Sequence, residues 1–489
     1  MKQLLRKSSK ALIVLAACFS MLLMAGCDKD KKASKDNKKT KIQVMVGFGT
    51  GTDPSQVAVH EALAKEFNDT IGKEKNITLE FVTVQYADSE QKFTTLVAGG
   101  MTPDICGPVG VMGVGKFIDE WMDIEPYLQK DGIDLNAYDE ALVDSMRYSI
   151  NGENKLVGLP IGYYPSALYY NEDIFDRAGI DYPPTTWGTK DWTYEKMIDQ
   201  ARRMTLDKDG NNTYSPDFDM EGVTQFGYDG TDWAPFRAWV GKYFDKNGNS
   251  VALGISEDMK TAKMNTPEWK KALSDLRDQV FVYKVRPSSD SNAGAALFGD
   301  NDPLGSNKCA MWEIFSWMSY AYEGWDANFN WNIAPIPSLN GHIVSATNID
   351  TFVMCKSAKN HDKAWEVYKW LFQPENYIRL NKNYGGIPAM KQFQKSWIDE
   401  RKNGVVDENG EVIEEGRPNI NWQVLIDAGA YADNPNNEAW VPNFGKVWDA
   451  METALANVIS GFEEDTDKVA EDLNAEVQTY LDEYWENQK

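Results

Sequence analysis

Histidine and cysteine are scarce in this 489-residue chain, and their scarcity excludes several kinds of site. The three histidines, His60, His342 and His361, lie far apart, and the chain has neither an HExxH segment nor a cysteine pair at zinc-binding spacing. The five cysteines are scattered, so they do not make a disulfide scaffold. No GxSxG segment indicates a lipase-type serine nucleophile. We therefore expect no metal ion and no cofactor.

Basic residues are few relative to acidic ones. The 50 lysines and arginines oppose 74 aspartates and glutamates, which gives a formal net charge of −24. Such a surface repels a phosphate backbone, so nucleic acid is not an expected partner. Two glycine-rich segments resemble phosphate-binding loops but lack essential residues. Phe117 replaces the Ser or Thr that binds magnesium after Gly110, and Thr52 replaces the third glycine of a dinucleotide loop that begins at Gly47.

The N-terminal residues predict export. Residues 1–26 combine a basic start with the apolar run Ala11–Met24, which is shorter than the roughly 20 residues that span a membrane. The segment Met24–Cys27 resembles the lipobox of bacterial lipoproteins, and this resemblance implies acylation of Cys27 and anchoring on the extracytoplasmic face of the cell membrane. Residues 27–40 contain almost no apolar side chain, so we expect a flexible linker there.

Strand and helix patterns alternate after the linker. Ile42–Val46 is an apolar strand, apolar residues then recur at helical spacing as far as Phe67, and Ile77–Val84 is the next strand. A further helix ends at Gly99, and a third strand begins at Pro103. This order predicts an α/β fold with a mostly parallel sheet, in a chain long enough for two or more domains.

An aromatic segment, Pro160–Phe175, interrupts this pattern. Gly162 and Pro165 fit an ordinary strand interior poorly, because one loosens the backbone and the other removes a hydrogen-bond donor. A strand that crosses between two domains would have this composition, and it would present Tyr163 and Tyr164 to a cleft between them. The alternative is an aromatic loop that packs into a core.

Six segments follow one another in a recognisable order. They are Ala98–Gly100 with Thr102–Ile105, Leu168–Asn171 with Phe175 and Ala178–Ile180, Pro183–Trp187, Lys308–Met311 with Trp317, Trp331–Pro337, and Gly385–Ala389. Taken in this order, they resemble blocks of the family 1 extracellular solute-binding proteins, the maltose-binding-protein-like receptors of ABC importers. The similarity runs from about Lys41 to the C-terminus.

The resemblance implies an α/β, two-lobed periplasmic-binding-protein-like fold of type II, in which a multi-strand hinge joins two sheets flanked by helices. Lobe one would comprise residues 41–163 plus 350–384, and lobe two residues 164–349 plus 388–489. The expected connections are Tyr163–Ala167, Ser345–Asp350 and Tyr384–Pro388. The resemblance also implies a monomer that is not an enzyme and that delivers its ligand to ABC permease subunits.

A carbohydrate ligand is expected on chemical grounds as well. A pyranose ring has an apolar face and hydroxyl groups, so its site needs aromatic plates edged by carboxylates and amides. The chain offers such side chains where the resembled family places its cleft: Phe48, Gln91, Tyr163, Tyr164, Asp232, Trp233, Trp312, Glu313, Trp317, Asn348, Asp350 and Trp448. For each aromatic residue the alternative is core packing, and Asn348 and Asp350 could instead bind the hinge backbone.

Two other functions and one further site stay open at this point. A secreted glycoside hydrolase also needs aromatic plates with acids. The same fold could instead bind a peptide or a glycerol-phosphate compound, although an anionic ligand would need a basic cluster. Asp207–Asn211 resembles the start of a calcium loop, but Asn212 stands where the loop requires glycine and Phe218 where it requires glutamate.

Overall fold

The computed structural model describes residues 39–150, 153–230, 238–288, 296–407, 409–433 and 441–487. Thr40–Lys489 forms a compact unit of its own. The predicted export signal, the linker up to Lys38 and the acylation site Cys27 lie outside the described residues. Within the described part of the chain, no helix is both long and apolar enough to cross a membrane.

The described part of the unit is organised around a nine-stranded sheet. Its strands are β1 (Thr40–Val46), β2 (Ile77–Thr83), β3 (Ile105–Val109), β4 (Gly158–Asn171), β5 (Asp229–Gly230), β6 (Met311–Phe315), β7 (Trp331–Ala334), β8 (Thr347–Met354) and β9 (Ile387–Pro388). Neighbouring strands follow the order β2-β1-β3-β8-β4-β6-β5, while β7 and β9 also pair with β4. Three two-stranded hairpins lie apart from it, formed by Arg147–Ile150 with Glu153–Leu156, Leu206–Asp207 with Val223–Gln225, and Val405–Val406 with Val412–Glu414.

The aromatic segment forms the continuous, fully buried strand β4, which changes partners halfway along its length. Its first half pairs with β8 and β9, and its second half pairs with β6 and β7. Pro165 lies at the change, because the β8 ladder ends opposite it and the β6 ladder begins at Ser166. The missing N–H of proline is therefore tolerated inside a long strand.

The sheet is mixed. The predicted parallel arrangement is present in β2-β1-β3, and β5 also runs parallel to β6. Every strand that pairs directly with β4 runs antiparallel to it, however, and β8 is antiparallel to β3 as well. The β-α-β pattern at the start of the chain carries no information about these strands, because they reach β4 from distant parts of the sequence.

Helices cover both faces of the sheet. Two of the described helices begin at threonine caps, since the Thr193 and Thr266 side chains accept hydrogen bonds from the backbone of the first turn. The described α-helices are α1 (Pro54–Asp69), α2 (Ile71–Glu74), α3 (Tyr86–Ala98), α4 (Val111–Lys116), α5 (Glu125–Asp131), α6 (Glu140–Asp144), α7 (Glu172–Ala178), α8 (Tyr194–Met204), α9 (Pro267–Phe281), α10 (Tyr322–Asp326), α11 (His361–Leu371), α12 (Pro374–Tyr384), α13 (Gln394–Asn403), α14 (Gln423–Asp427), α15 (Phe444–Ser460) and α16 (Thr466–Asn487).

Side chains that alternate along β4 enter different cores. Tyr163 and Tyr169 belong to a large buried cluster that also contains residues of α11, α12 and α14. Leu168 and Tyr170 belong to a second cluster, which they share with α8, α9, α15 and α16. This alternation follows from the two-residue period of a strand, and it decides which predicted aromatic side chains can face a ligand.

The cysteines are less scattered in space than in sequence. Cys106 on β3 and Cys355, which follows β8, bring their sulfur atoms within 3.6 Å of each other in a buried position. Both remain free thiols, as does the buried Cys309.

Candidate functional site

A cleft of about 500 Å³ opens beside the point where β4, β8 and β9 meet. Residues from several distant parts of the chain line it, including the glycine-rich loop after β1. The lining residues are Phe48, Gly49, Thr50, Tyr86, Gly110, Tyr164, Trp317, Ser319, Asn348, Asp350, Tyr384 and Gly385.

Aromatic rings make up much of this lining. Trp317 is half-buried, and its indole lies parallel to the ring of Phe315 with 6.4 Å between the ring centroids. Tyr86, at the start of α3, is 59% exposed at the edge of the cleft. Phe48 is almost fully buried because its ring packs on Phe93 and Phe117, so only part of it reaches the cleft. The cleft thus has apolar plates at different depths.

A single carboxylate stands among the described lining residues, that of Asp350 on β8. The Tyr164 hydroxyl lies 3.4 Å from its Oδ2 atom and 3.2 Å from the backbone carbonyl oxygen of Tyr384, to either of which it can donate. Burial raises the pKa of Asp350 from 3.8 to about 6, against the opposing effect of the Tyr164 hydroxyl. A Cβ atom at Gly110 would lie 3.2 Å from the Asp350 Oδ1 atom, so this glycine gives the carboxylate its room.

The end of α12 forms one side of the cleft. The helix stops at Gly385, whose φ of 78° lies in the left-handed region that favours glycine. Gly386 then passes so close to β4 that a Cβ atom there would lie 3.0 Å from the Tyr164 ring. These two glycines let Tyr384 face the cleft immediately before the chain joins β4 as β9.

Five of the predicted site residues line the cleft: Phe48, Tyr164, Trp317, Asn348 and Asp350. The predicted set did not include four further aromatic or polar lining residues, Thr50, Tyr86, Ser319 and Tyr384. Tyr384 had a recognisable signal, because it begins the third predicted connection and precedes two glycines. Tyr86 and Ser319 stand in no motif of the sequence.

Five predicted residues lie away from the cleft lining: Gln91, Tyr163, Trp312, Trp448 and Glu313. Tyr163 is fully buried because it points to the opposite face of β4 from Tyr164, and is therefore a core residue. Trp312 packs edge-to-face on Trp325 in the same core. Trp448 lies on the apolar face of α15 in the second core. Gln91 is exposed on α3, and its side chain does not reach the cleft lining.

Glu313 is also buried, and it serves a structural ion pair. Both of its carboxylate oxygens lie 2.6 Å from the Lys242 Nζ atom, and the Tyr228 hydroxyl donates a hydrogen bond to it at 3.2 Å. A carboxylate that is satisfied in this way inside the protein does not bind a ligand in the cleft. The predicted residues Asp232 and Trp233 lie outside the described residues.

The calcium-like loop closes on itself. The Asp207 carboxylate accepts backbone N–H donors from Asp209, Asn211 and Asp219. Although burial alone would raise the pKa of Asp207, these hydrogen bonds prevail and lower it to about 2. The oxygens that a cation would need are therefore occupied by N–H groups. Nowhere in the described ranges do three or more His, Cys, Asp or Glu side chains group at metal-binding distances.

Comparison with known proteins gives one family. The model of the bacterial extracellular solute-binding protein family matches residues 62–403. The sn-glycerol-3-phosphate-binding periplasmic protein UgpB of Agrobacterium fabrum is 24% identical over 372 residues, which cover 72% of this chain and 74% of that protein.

Solved structures share the fold. An ABC substrate-binding protein of Listeria monocytogenes in complex with cycloalternan has a TM-score of 0.64 at 18% identity, covering 91% of this chain and 99% of that chain. A cyclo/maltodextrin-binding protein complexed with maltotetraose has a TM-score of 0.62 at 18% identity, covering 91% and 98%. These likenesses confirm the predicted α/β periplasmic-binding-protein fold.

Proposed function

We propose, from the premise that this chain belongs to the bacterial extracellular solute-binding proteins, that it captures a carbohydrate for an ABC importer. The chain is a solute-binding protein and not an enzyme. Within that class, the finer assignment is an oligosaccharide, which the protein holds in the cleft and delivers unchanged to the permease subunits. The assignment depends on the chemistry of the cleft lining.

The lining pairs aromatic rings with polar side chains. Five of the twelve described lining residues are aromatic, and Thr50, Ser319, Asn348 and Asp350 supply polar side chains. Aromatic faces suit the apolar face of a pyranose ring, and hydroxyl, amide and carboxylate groups suit its hydroxyls. A volume of about 500 Å³ lies within the range of small-molecule sites. Tyr86 and its exposed ring extend this surface outward, which favours more than one sugar ring.

The same lining disfavours a phosphate ester. A phosphorylated solute carries about two negative charges near neutral pH, and it is usually bound by Arg or Lys side chains. No Lys or Arg occurs among the described residues that line the cleft, whereas Asp350 adds negative charge. The likeness to a glycerol-3-phosphate-binding protein therefore does not transfer its ligand to this chain.

A glycoside hydrolase also fits the cleft poorly. Glycoside hydrolysis usually requires two carboxyl groups on either side of the bond that breaks. Among the described lining residues only Asp350 carries a carboxyl group, and Glu313 is committed to Lys242. This composition supports binding without chemistry, in agreement with the family.

The proposed mechanism is closure of two lobes around the ligand. The lobes would be residues 41–163 plus 350–384 and residues 164–349 plus 388–489, connected where β4, β8 and the segment after α12 run side by side. A ligand that contacts Tyr164 and Asp350 on these strands favours the closed form by its difference in affinity for the two forms. We also propose that acylated Cys27 tethers a monomeric receptor to the extracytoplasmic face of the membrane.

Isothermal titration calorimetry tests the ligand class. Maltotetraose, cycloalternan, glucose and sn-glycerol-3-phosphate are titrated separately into the purified protein, with a reducing-sugar assay on each mixture. We expect micromolar binding of an oligosaccharide, weaker binding of glucose and no new reducing ends. Tight binding of sn-glycerol-3-phosphate without binding of any sugar would contradict the carbohydrate assignment, and release of reducing ends would contradict a pure receptor.

A further inference from the structure

The side chain of Gln56, in the first turn of α1, forms hydrogen bonds with the glycine-rich loop that follows β1. Its Oε1 atom accepts the backbone N–H of Gly51 at 2.9 Å and that of Asp53 at 3.3 Å. Its Nε2 atom donates to the Thr50 hydroxyl at 2.8 Å. Thr50 lines the cleft and Gln56 does not, so Gln56 fixes a cleft residue from outside the cleft.

The same amide also holds the end of α12. The Gln56 Nε2 atom donates a second hydrogen bond to the backbone carbonyl oxygen of Asn383 at 2.7 Å. In return, the Asn383 Nδ2 atom donates a hydrogen bond to the backbone carbonyl oxygen of Gln56 at 3.2 Å. These bonds join residues 327 positions apart in sequence. The cleft loop and the end of α12 are thereby fastened to each other through α1.

His60, one turn further along α1, reaches the neighbouring cleft residue. Its Nε2 atom lies 2.8 Å from the Tyr384 hydroxyl and 3.3 Å from the Asn383 Nδ2 atom. Because an amide nitrogen only donates, the contact with Asn383 assigns Nε2 as the acceptor and the ring proton to Nδ1, which is buried and makes no hydrogen bond among the described residues. His60 is fully buried and stacks on Phe81 with 4.8 Å between ring centroids, and burial lowers its pKa to about 4. A neutral histidine thus holds the cleft tyrosine by its hydroxyl.

These contacts meet at the last connection to β4. Tyr384 is the final residue of α12, and its backbone carbonyl oxygen accepts the Tyr164 hydroxyl at 3.2 Å. Three residues later, at Ile387, the chain begins to pair with Tyr163 and Gly162 of β4. The side chains of α1 therefore fix both the cleft face of Tyr384 and the start of the strand that follows it.

We propose that Gln56 and His60 are positioning residues for carbohydrate binding, which join the loop 47–51 to the end of α12 and hold Thr50 and Tyr384 in the cleft wall. Neither residue touches the ligand. The inference rests on the proposed function for its effect on affinity, while its mechanical part concerns the ligand-free protein alone. Both residues form hydrogen bonds with the end of α12, where the chain lines the cleft and then continues into β9.

The mechanical part is tested by hydrogen exchange on the ligand-free full chain. In Gln56→Leu the backbone amides of residues 50–53 and 383–386 are expected to exchange at least about ten-fold faster, as expected for the loss of several hydrogen bonds, while β2 keeps its protection. The matched control is Glu61→Gln, an exposed substitution on the same helix that should leave both segments unchanged. Unchanged exchange in Gln56→Leu would overturn the proposal.

The functional part is tested by a double-mutant cycle with maltotetraose. His60→Phe is expected to weaken binding about ten-fold, and Tyr384→Phe by a similar factor, because each removes one partner of the same hydrogen bond. If His60 acts through the Tyr384 hydroxyl, His60→Phe causes no further loss in the Tyr384→Phe background. Independent, multiplicative losses would overturn the positioning role. Should His60→Phe fail to fold, the affinity of Gln56→Leu for maltotetraose decides, since Gln56 does not line the cleft.

The two levels of failure remain distinguishable. If the unchanged protein binds neither maltotetraose nor cycloalternan, the proposed function fails, and the hydrogen-exchange comparison still decides the mechanical link. If the unchanged protein binds maltotetraose and Gln56→Leu binds it equally well, the proposed function stands and the positioning role is overturned.

Discussion

The Tyr164 hydroxyl lies 3.4 Å from the Asp350 carboxylate, and this contact joins β4 to β8 at the floor of the cleft. Burial disfavours the ionised form of Asp350 and raises the pKa of its carboxyl group to about 6. Tyr164 is one of the few groups near enough to offset that burial. Tyr164 and Asp350 are therefore both proposed ligand contacts and a link between β4 and β8.

Asp350 should make stability depend on pH. Its pKa in the folded protein, about 6, exceeds the ordinary value of 3.8, so the folded state binds the proton more tightly than the unfolded state. The free energy of unfolding should therefore fall as pH rises from about 4 to about 6, by about 2 kcal/mol after allowance for partial exposure. Asp350→Asn should remove this contribution. Urea unfolding of both proteins at pH 4, 5, 6 and 7 measures it.

The measurement at pH 4 serves as the reference for comparing the wild-type protein with Asp350→Asn. At pH 4 Asp350 is largely protonated in the folded protein, so the two proteins should have similar stability, and by pH 7 the variant should be the more stable. A stability difference that is the same at all four pH values would contradict a raised pKa at Asp350.

Trp317 should contribute to affinity and little to stability. It is half-buried at the cleft, so Trp317→Ala should weaken maltotetraose binding by about ten-fold or more through the loss of a stacking face. Trp448→Ala is the matched control, because Trp448 is 7% exposed in the second core. That substitution should lower the free energy of unfolding by about 3–5 kcal/mol. Calorimetric titration and thermal unfolding of both variants give the two quantities, and equal melting temperatures would contradict this division.

The sequence predicts the elements near the start of the chain because they depend on local patterns. The β-α-β order and the strand that contains Pro165 are recognisable from the spacing of apolar residues and the positions of glycine and proline. Antiparallel pairing around β4 is not, since it depends on strands from distant parts of the chain.

The candidate site was predicted in part for a related reason. Phe48, Tyr164, Trp317, Asn348 and Asp350 line the cleft because they stand at strand ends and connections, which the family resemblance locates. Whether an aromatic residue in a strand or helix faces a cleft or a core depends on its side of that element. Adjacent tyrosines in β4 show this, and so does the buried ion pair of Glu313, whose partner Lys242 has no sequence signal.

The buried ion pair between Lys242 and Glu313 gives a third prediction. Among the residues that the structure describes, Lys242→Met leaves the Glu313 carboxylate with the Tyr228 hydroxyl alone, at 3.2 Å, so it should destabilise the protein by about 3–5 kcal/mol. The double variant Lys242→Met, Glu313→Gln removes the uncompensated charge and should recover much of that loss. Denaturant unfolding measures both. If the double variant is no more stable than Lys242→Met, the destabilisation does not come from an unpaired charge.

Gly386 should be intolerant of a side chain for a reason that concerns the cleft. A Cβ atom there would lie 3.0 Å from the Tyr164 Cζ and Oη atoms and 3.2 Å from the Gly162 Cα atom. Gly386→Ala should therefore displace the Tyr164 ring, move its hydroxyl away from the Asp350 carboxylate and the Tyr384 carbonyl oxygen, and weaken maltotetraose binding, with a stability loss of about 1–3 kcal/mol.

Gly385→Ala separates this effect from backbone strain. No atom lies within 4 Å of a Cβ atom at Gly385, but its φ of 78° strains any other residue. That variant should lose about 1 kcal/mol of stability while Tyr164 keeps its place. Tyrosine near-ultraviolet circular dichroism, with titration of maltotetraose, compares the two. Because Gly386 lies against the ring and Gly385 does not, equal affinity losses in both variants would show that the end of α12 acts on the cleft through its backbone rather than through Tyr164.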